Sequence, residues 1–121
     1  MTREEKDLLL KDLCARLPYG VKLKFNYIIT SPAILKGINK DFIECDIAAC
    51  ELEDVKPYLF PISSITKEQK EEHKDLLDNQ YSLAANGNIF TLQDFYCKYH
   101  LDYRGLIEKG LAIDATNLNI Y

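Results

Sequence analysis

Leu17-Pro18-Tyr19-Gly20-Val21-Lys22-Leu23-Lys24-Phe25-Asn26-Tyr27 carries the change of period that decides the fold. Before it, Thr2 and Glu5 form a T-x-x-E capping box, and Leu9, Leu10, Leu13, Cys14 and Leu17 recur at helical spacing. Acids early in that run (Glu4, Glu5) and bases late (Lys11, Arg16) suit a helix dipole. Pro18 and then Gly20 stop the helix. From Val21 the period drops to two. Val21, Leu23, Phe25 and Tyr27 alternate with Lys22, Lys24 and Asn26, the pattern of a half-buried strand.

Working outward, Ser31-Pro32 interrupts the strand, and Ala33 to Lys36 reads as a second, with a turn from Gly37 to Asp41. A third is expected from Phe42 to Ile47, with Ile43, Cys45 and Ile47 inside and Phe42, Glu44 and Asp46 outside. Val55 to Phe60, bounded by Pro61, reads as a fourth. It holds Pro57, which cannot donate to a ladder, so a sheet edge or a bulge is expected.

Thr66 and Gln69 form a second capping box, opening a helix to about Leu77 in which only Leu76 and Leu77 are apolar. Asn86-Gly87-Asn88 reads as a turn. Thr91 caps a third helix, with Phe90 and Phe95 at hydrophobic-staple positions and Leu92, Phe95, Tyr96 and Tyr99 on one face. Asp102 and Gly110 are spaced to start and stop a last short helix before Leu111. Helix, strands, then helices means α+β and not βαβ repeats. The expectation is one domain over residues 1–121: an N-terminal helix, a small, mostly antiparallel sheet of about four strands, and C-terminal helices packed on it.

The 121 residues are 47% apolar and 28% charged, enough for one core. With no Trp, eight Tyr and five Phe must supply much of the buried area. No apolar run nears the roughly 20 residues of a membrane span. Arg3 to Asp7 occupy the place of a signal peptide's apolar core, so a cytoplasmic protein with reduced Cys14, Cys45, Cys50 and Cys97 is expected. A net charge of −4 argues against a dedicated DNA binder. Residues 21–40 hold Lys22, Lys24, Lys36 and Lys40 and no acid; residues 41–54 hold Asp41, Glu44, Asp46, Glu51, Glu53 and Asp54 and no base. Such neighbours suggest strands paired by charge across one sheet face, with the acids cancelling the basic strip.

Leu17 to Val21, Val55 to Ser64, and Asp102 to Ile107 with Gly110-Leu111-Ala112 together resemble a family of small uncharacterised proteins of gut anaerobic bacteria, often linked with prophages and other mobile elements. The resemblance spans most of the chain. It implies a stand-alone α+β domain of bacterial or phage origin, and no established activity to carry over.

Candidate chemistry is sparse. Cys97 and His100 with Cys45 and Cys50 could supply four zinc ligands, but Cys45 between Ile43 and Ile47 reads as a buried thiol. Cys97 and His100, three apart on a helix, could make a nucleophilic pair oriented by Asp94 or Asp102, though no glycine-rich loop offers oxyanion donors. The segment Asp102 to Gly110 could be the second helix of a helix-turn-helix, but it offers Arg104 alone to bases. There is no phosphate loop. Surplus rings would mark a partner site, for which Tyr58, Phe60, Tyr99, Tyr103 and Arg104 are the candidates. The reading is a non-enzymatic binding or adaptor domain, with no catalytic residues, metal or cofactor, and with a protein or a second copy as partner. The alternatives are a small Cys/His enzyme and a weak nucleic-acid binder using Lys22 to Lys40.

Overall fold

The computed structural model describes residues 1–25, 32–39, 42–79, 81–83 (backbone only) and 89–121. The expected turn at Asn86 to Asn88, and Asn26, Tyr27, Ser31, Lys40 and Asp41, lie outside the described residues.

Helix α1 (Arg3–Arg16) opens on the expected box: Thr2 N–H donates to Glu5 Oε1 at 3.0 Å and Glu5 N–H to Thr2 Oγ1 at 3.1 Å. A 3-10 turn (Leu17–Tyr19) follows, with Pro18 in its first turn, where a missing N–H costs nothing. Gly20 ends it at φ +67°. The buried face of α1 is rotated from the expected stripe. Leu9, Asp12, Leu13 and Arg16 are buried, while Leu10 and Cys14 face out. Two charged residues hold positions that an apolar count assigns to their neighbours.

Among the described residues the main sheet has seven strands: β1 (Lys22–Phe25), β2 (Ala33–Ile38), β3 (Ile43–Cys45), β4 (Ala49–Cys50), β5 (Val55–Pro61), β8 (Leu101–Asp102) and β9 (Ile113–Asp114). The order is β4-β3-β2-β1-β5-β8, with β9 also on β5. The first four pairings are antiparallel; β8 and β9 run parallel to β5. A separate hairpin joins β6 (Tyr81–Leu83) to β7 (Ile89–Thr91). Helices α2 (Lys67–Asn79) and α3 (Leu92–Lys98) complete an α+β fold. Strands of two residues carry no alternation, so β4, β8 and β9 could not be read from the sequence.

Three further expectations are corrected. The strand at Val55 is interior and not an edge, since β5 pairs with β1, β8 and β9. Pro57 is tolerated there because its parallel partners meet β5 only from Tyr58 onward. The strand expected from Phe42 to Ile47 ends at Cys45. Asp46 turns its carboxylate to the Ile34 N–H at 2.9 Å, the chain bends, and Ile47 is 54% exposed. The closing helix is a single turn. Asp102 caps it through the Leu106 and Ile107 N–H groups, both at 2.9 Å. Leu111 N–H reaches Leu106 C=O at 2.9 Å and Gly110 N–H reaches Ile107 C=O at 3.1 Å, the paired bonds of a Schellman stop, with Gly110 at φ +73°. Stop and cap signals are therefore sound, but they enclose one turn.

The inner face of the sheet and α1 share one apolar cluster: Leu9, Leu13, Val21, Leu23, Phe25, Ala33, Leu35, Ile43, Val55 and Leu59, closed by Leu106 and Leu111. A second cluster joins α2 to α3 through Leu76, Phe95 and Leu101. Phe90 and Phe95, as a staple, both belong to it. Leu77 does not, being 55% exposed. His73 instead helps anchor α2, stacked on Phe95 with centroids 5.4 Å apart and hydrogen-bonded to Tyr96 at 2.9 Å.

Candidate functional site

Alternation sends Val21, Leu23, Phe25, Ala33, Leu35, Val55, Pro57 and Leu59 inward, all buried. The same alternation turns Lys22, Lys24, Ile34, Lys36, Lys56 and Tyr58 outward, where each is exposed or half-buried. Register places Lys24 directly opposite Lys56, and Lys22 opposite Ile34. Contrary to the expected charge pairing, the acids are not cross-strand partners of Lys22 and Lys24, because β2 lies between β1 and β3, although Glu44, opposite Gly37, is exposed one strand away from them. The acids are also engaged elsewhere. Asp46 holds the Ile34 N–H, Glu44 lies against Gly37, and Glu53 pairs with Lys6. Among the described residues no carboxylate pairs with Lys24, Lys36 or Lys56.

At one end of this face Tyr121 reaches into the sheet. The β1–β5 register, continued one step, sets Lys22 against Tyr58. There the Tyr121 hydroxyl accepts from Lys22 N–H at 2.9 Å and donates to Tyr58 C=O at 2.7 Å, relaying one rung of the ladder. Lys22 Nζ donates to Ile120 C=O at 2.7 Å. The Tyr121 ring stacks on His100, with centroids 3.8 Å apart. Tyr121 as a residue is 41% exposed, but its hydroxyl is enclosed, and burial pushes its pKa well above the phenol range. Lys22 is thus tied down.

Behind the sheet lies a buried ion cluster that the apolar pattern does not announce. Asp12 and Arg16 are both fully buried. Arg16 Nε donates to Asp12 Oδ2 at 2.7 Å and its Nη2 to Leu101 C=O at 2.6 Å. Arg104 Nε adds a bond to Asp12 Oδ1 at 3.2 Å. Tyr103 packs its ring under both guanidinium groups, 5.4 Å from Arg16 and 4.7 Å from Arg104, and stacks on Tyr96. The available signal was the i,i+4 acid–base pair on the Leu9–Leu13 face. The cluster fastens α1 to β8.

Cys97 and His100 do not share a helix face. The helix ends at Lys98, and His100 is left-handed at φ +56°. The Cys97 thiol is buried and burial raises its pKa, which disfavours the thiolate a nucleophile needs. Burial, then Arg16 and Lys22, push the His100 imidazole down to about 4. Cys45 and Cys50 lie together on β3 and β4, with three strands between them and β8. Burial and the neighbouring Cys50 push Cys45 up to about 12. Among the described residues no three His, Cys, Asp or Glu side chains gather as metal ligands. One cleft, about 170 Å³, is lined by Phe60, Ser64, Thr66, Gln69 and Leu101. Another, about 400 Å³, includes Asp102 and Glu108, but both Asp102 oxygens are spent on capping.

The depressed His100 has a measurable consequence. Its folded pKa lies below the ordinary 6.5, so between those values the unfolded chain binds more protons. Stability should fall as pH drops from about 6.5 through about 4. A proton-NMR titration should place the His100 midpoint near 4, and His100→Asn, which tolerates the left-handed backbone, should weaken the acid loss. A midpoint near 6.5 would show the ring to be solvated.

The five partner-site candidates do not form one surface. Tyr58 belongs to the outer sheet face and Phe60 to the second cluster. Tyr99 donates to Glu72 at 2.8 Å, and Tyr103 and Arg104 are absorbed in the ion cluster. The segment Asp102 to Gly110 is one turn and not a recognition helix, which rules out a helix-turn-helix there. Among the described residues no helix is long and apolar enough to cross a membrane. No family model, curated protein or solved structure matches the chain.

Proposed function

We propose that the protein is a binding or adaptor domain that presents the outer face of its sheet. The observation that carries this reading is the asymmetry of that sheet. One face is closed under α1, and the other leaves Lys24, Lys36 and Lys56 outward with no described carboxylate partner. Lys24 against Lys56 sets like charges on opposed positions, which costs stability and so reads as a feature kept for a partner. The Cys97 thiol and the His100 imidazole, by contrast, are packed groups.

Retention of host material on the immobilised protein tests the reading. Lys24→Glu with Lys56→Glu should abolish specific retention from an extract that keeps both proteins and nucleic acids, and Cys97→Ser should leave it intact. Retention indifferent to the lysine pair, but lost with Cys97→Ser, would move the site to α3.

A further inference from the structure

We infer that the partner of this face is a single-stranded polynucleotide, held through its phosphates. The inference rests on the binding-domain reading above and names the class of ligand. Three observations favour it over a protein. First, the face is centred on lysines, and lysine is depleted from the cores of protein interfaces, which need apolar anchors. Here the apolar share is Ile34 and Tyr58, each half-buried. Second, Lys24 and Lys56 are a cross-strand pair, so their Cα atoms lie about 5 Å apart and both ammonium groups can close on one phosphate. An anion between them turns a repulsion into two charge-assisted bonds. Third, on a chain of net charge −4, much of the acidic charge lies away from these lysines. Helix α2 carries Glu68, Glu71, Glu72, Asp75 and Asp78, Asp46 accepts from the Ile34 N–H, Glu53 pairs with Lys6, and Glu44 lies at the β3 margin opposite Gly37. The part of the outer face on β2, β1 and β5 is thus a local basic surface on an acidic chain, bounded by Glu44 on β3, and the acidic α2 repels the same polyanion.

Shape selects one strand over two. The described residues that bear the lysines belong to strands β1, β2 and β5, and a flat strand surface offers no helix or ribbon of its own to enter a groove. A pleated surface with lysines on three adjacent strands and a ring among them suits an extended backbone laid across the strands. Tyr58 is that ring, two residues from Lys56 on the same face. Lys22 is held by Ile120 and Tyr121 at the margin, which leaves Lys24, Lys36 and Lys56 to act.

The test is fluorescence-anisotropy titration of the whole chain with labelled twelve-nucleotide oligouridylate and oligothymidylate. Their duplex counterparts and polyglutamate of equal charge serve as comparisons. Two neutralised phosphates, one shared by Lys24 and Lys56 and one on Lys36, predict a log–log salt slope near −1.4 for a single strand, so affinity should fall roughly sevenfold from 50 to 200 mM salt. Lys24→Glu with Lys56→Glu should weaken binding by at least about tenfold. The paired charges add a signature that an incidental patch lacks. Lys56→Gln should weaken binding yet raise the melting temperature of the free protein by about one to a few degrees, because it relieves the opposed charges. Binding of either oligonucleotide with that slope and that trade supports the inference. Equal binding of polyglutamate, or tighter binding of duplex, overturns it. If no oligonucleotide binds while retention of host material still depends on Lys24 and Lys56, the ligand class is wrong and the binding face stands. If the lysine pair affects neither, both fall.

Discussion

Asp12→Ala is expected to destabilise the fold by about 3–5 kcal/mol, because it strands a buried positive charge. Asp12 accepts from Arg16 and Arg104 at fully buried depth, and Arg16 has no route to water. Without Asp12, Arg16 keeps only the Leu101 carbonyl and the Tyr103 ring, neither of which carries a countercharge. Stability of a domain this size is about 5–15 kcal/mol, so much of it would be gone. The companion variant separates cause from consequence. Asp12→Ala with Arg16→Met replaces the stranded ion with apolar volume and should recover most of the loss. Arg104, with 14% of its side chain exposed, can turn to solvent in that background. Urea midpoints measure both. A loss under about 1 kcal/mol for Asp12→Ala would mean the cluster is hydrated in solution.

Leu106→Ala is expected to cost about 2–5 kcal/mol. Leu106 is fully buried in the main cluster, and its carbonyl accepts from Leu111 N–H. Its side chain seals the end of the core while its backbone closes the Schellman stop, so the variant opens a cavity and leaves the backbone bond in place. Gly110→Val strikes the same turn through the backbone. Nothing lies within 4 Å of the missing Cβ, so the penalty is the left-handed conformation itself, about 1–3 kcal/mol. Chemical denaturation of each variant is the check. If both unfold like the parent, the closing segment is not part of the cooperative fold.

What is legible in the sequence is whatever rests on local chemistry. Thr2 with Glu5, Thr66 with Gln69, and Thr91 ahead of Phe95 all cap helices as their spacing implies. The alternation from Val21 to Phe25 marks the buried face of β1 correctly, and with it the outward face that bears the lysines. What misleads depends on who sits beside whom. Opposite charges adjacent along the chain suggest cross-strand partners, yet β2 intervenes and the acids serve backbone and loop groups. Pro57 argues for an edge because an isolated strand gives no hint that its parallel neighbours start only at Tyr58 and Phe60. Asp12 and Arg16 show only an i,i+4 acid–base pair beside Leu9 and Leu13, which does not by itself signal burial. Theirs depends on Leu101, 85 positions beyond Arg16, supplying a carbonyl. Cys97 and His100 look paired on a continuous helix, and the helix stops between them.

The proposed recognition surface is the outer face of the sheet. Acetylation footprinting of lysines by mass spectrometry, with and without total host extract, tests it without choosing a partner in advance. Lys24, Lys36 and Lys56 should lose reactivity in the extract, while Lys67, Lys70 and Lys74 of α2 should react as before. Protection confined to α2, or no protection of Lys24 and Lys56, would contradict the account.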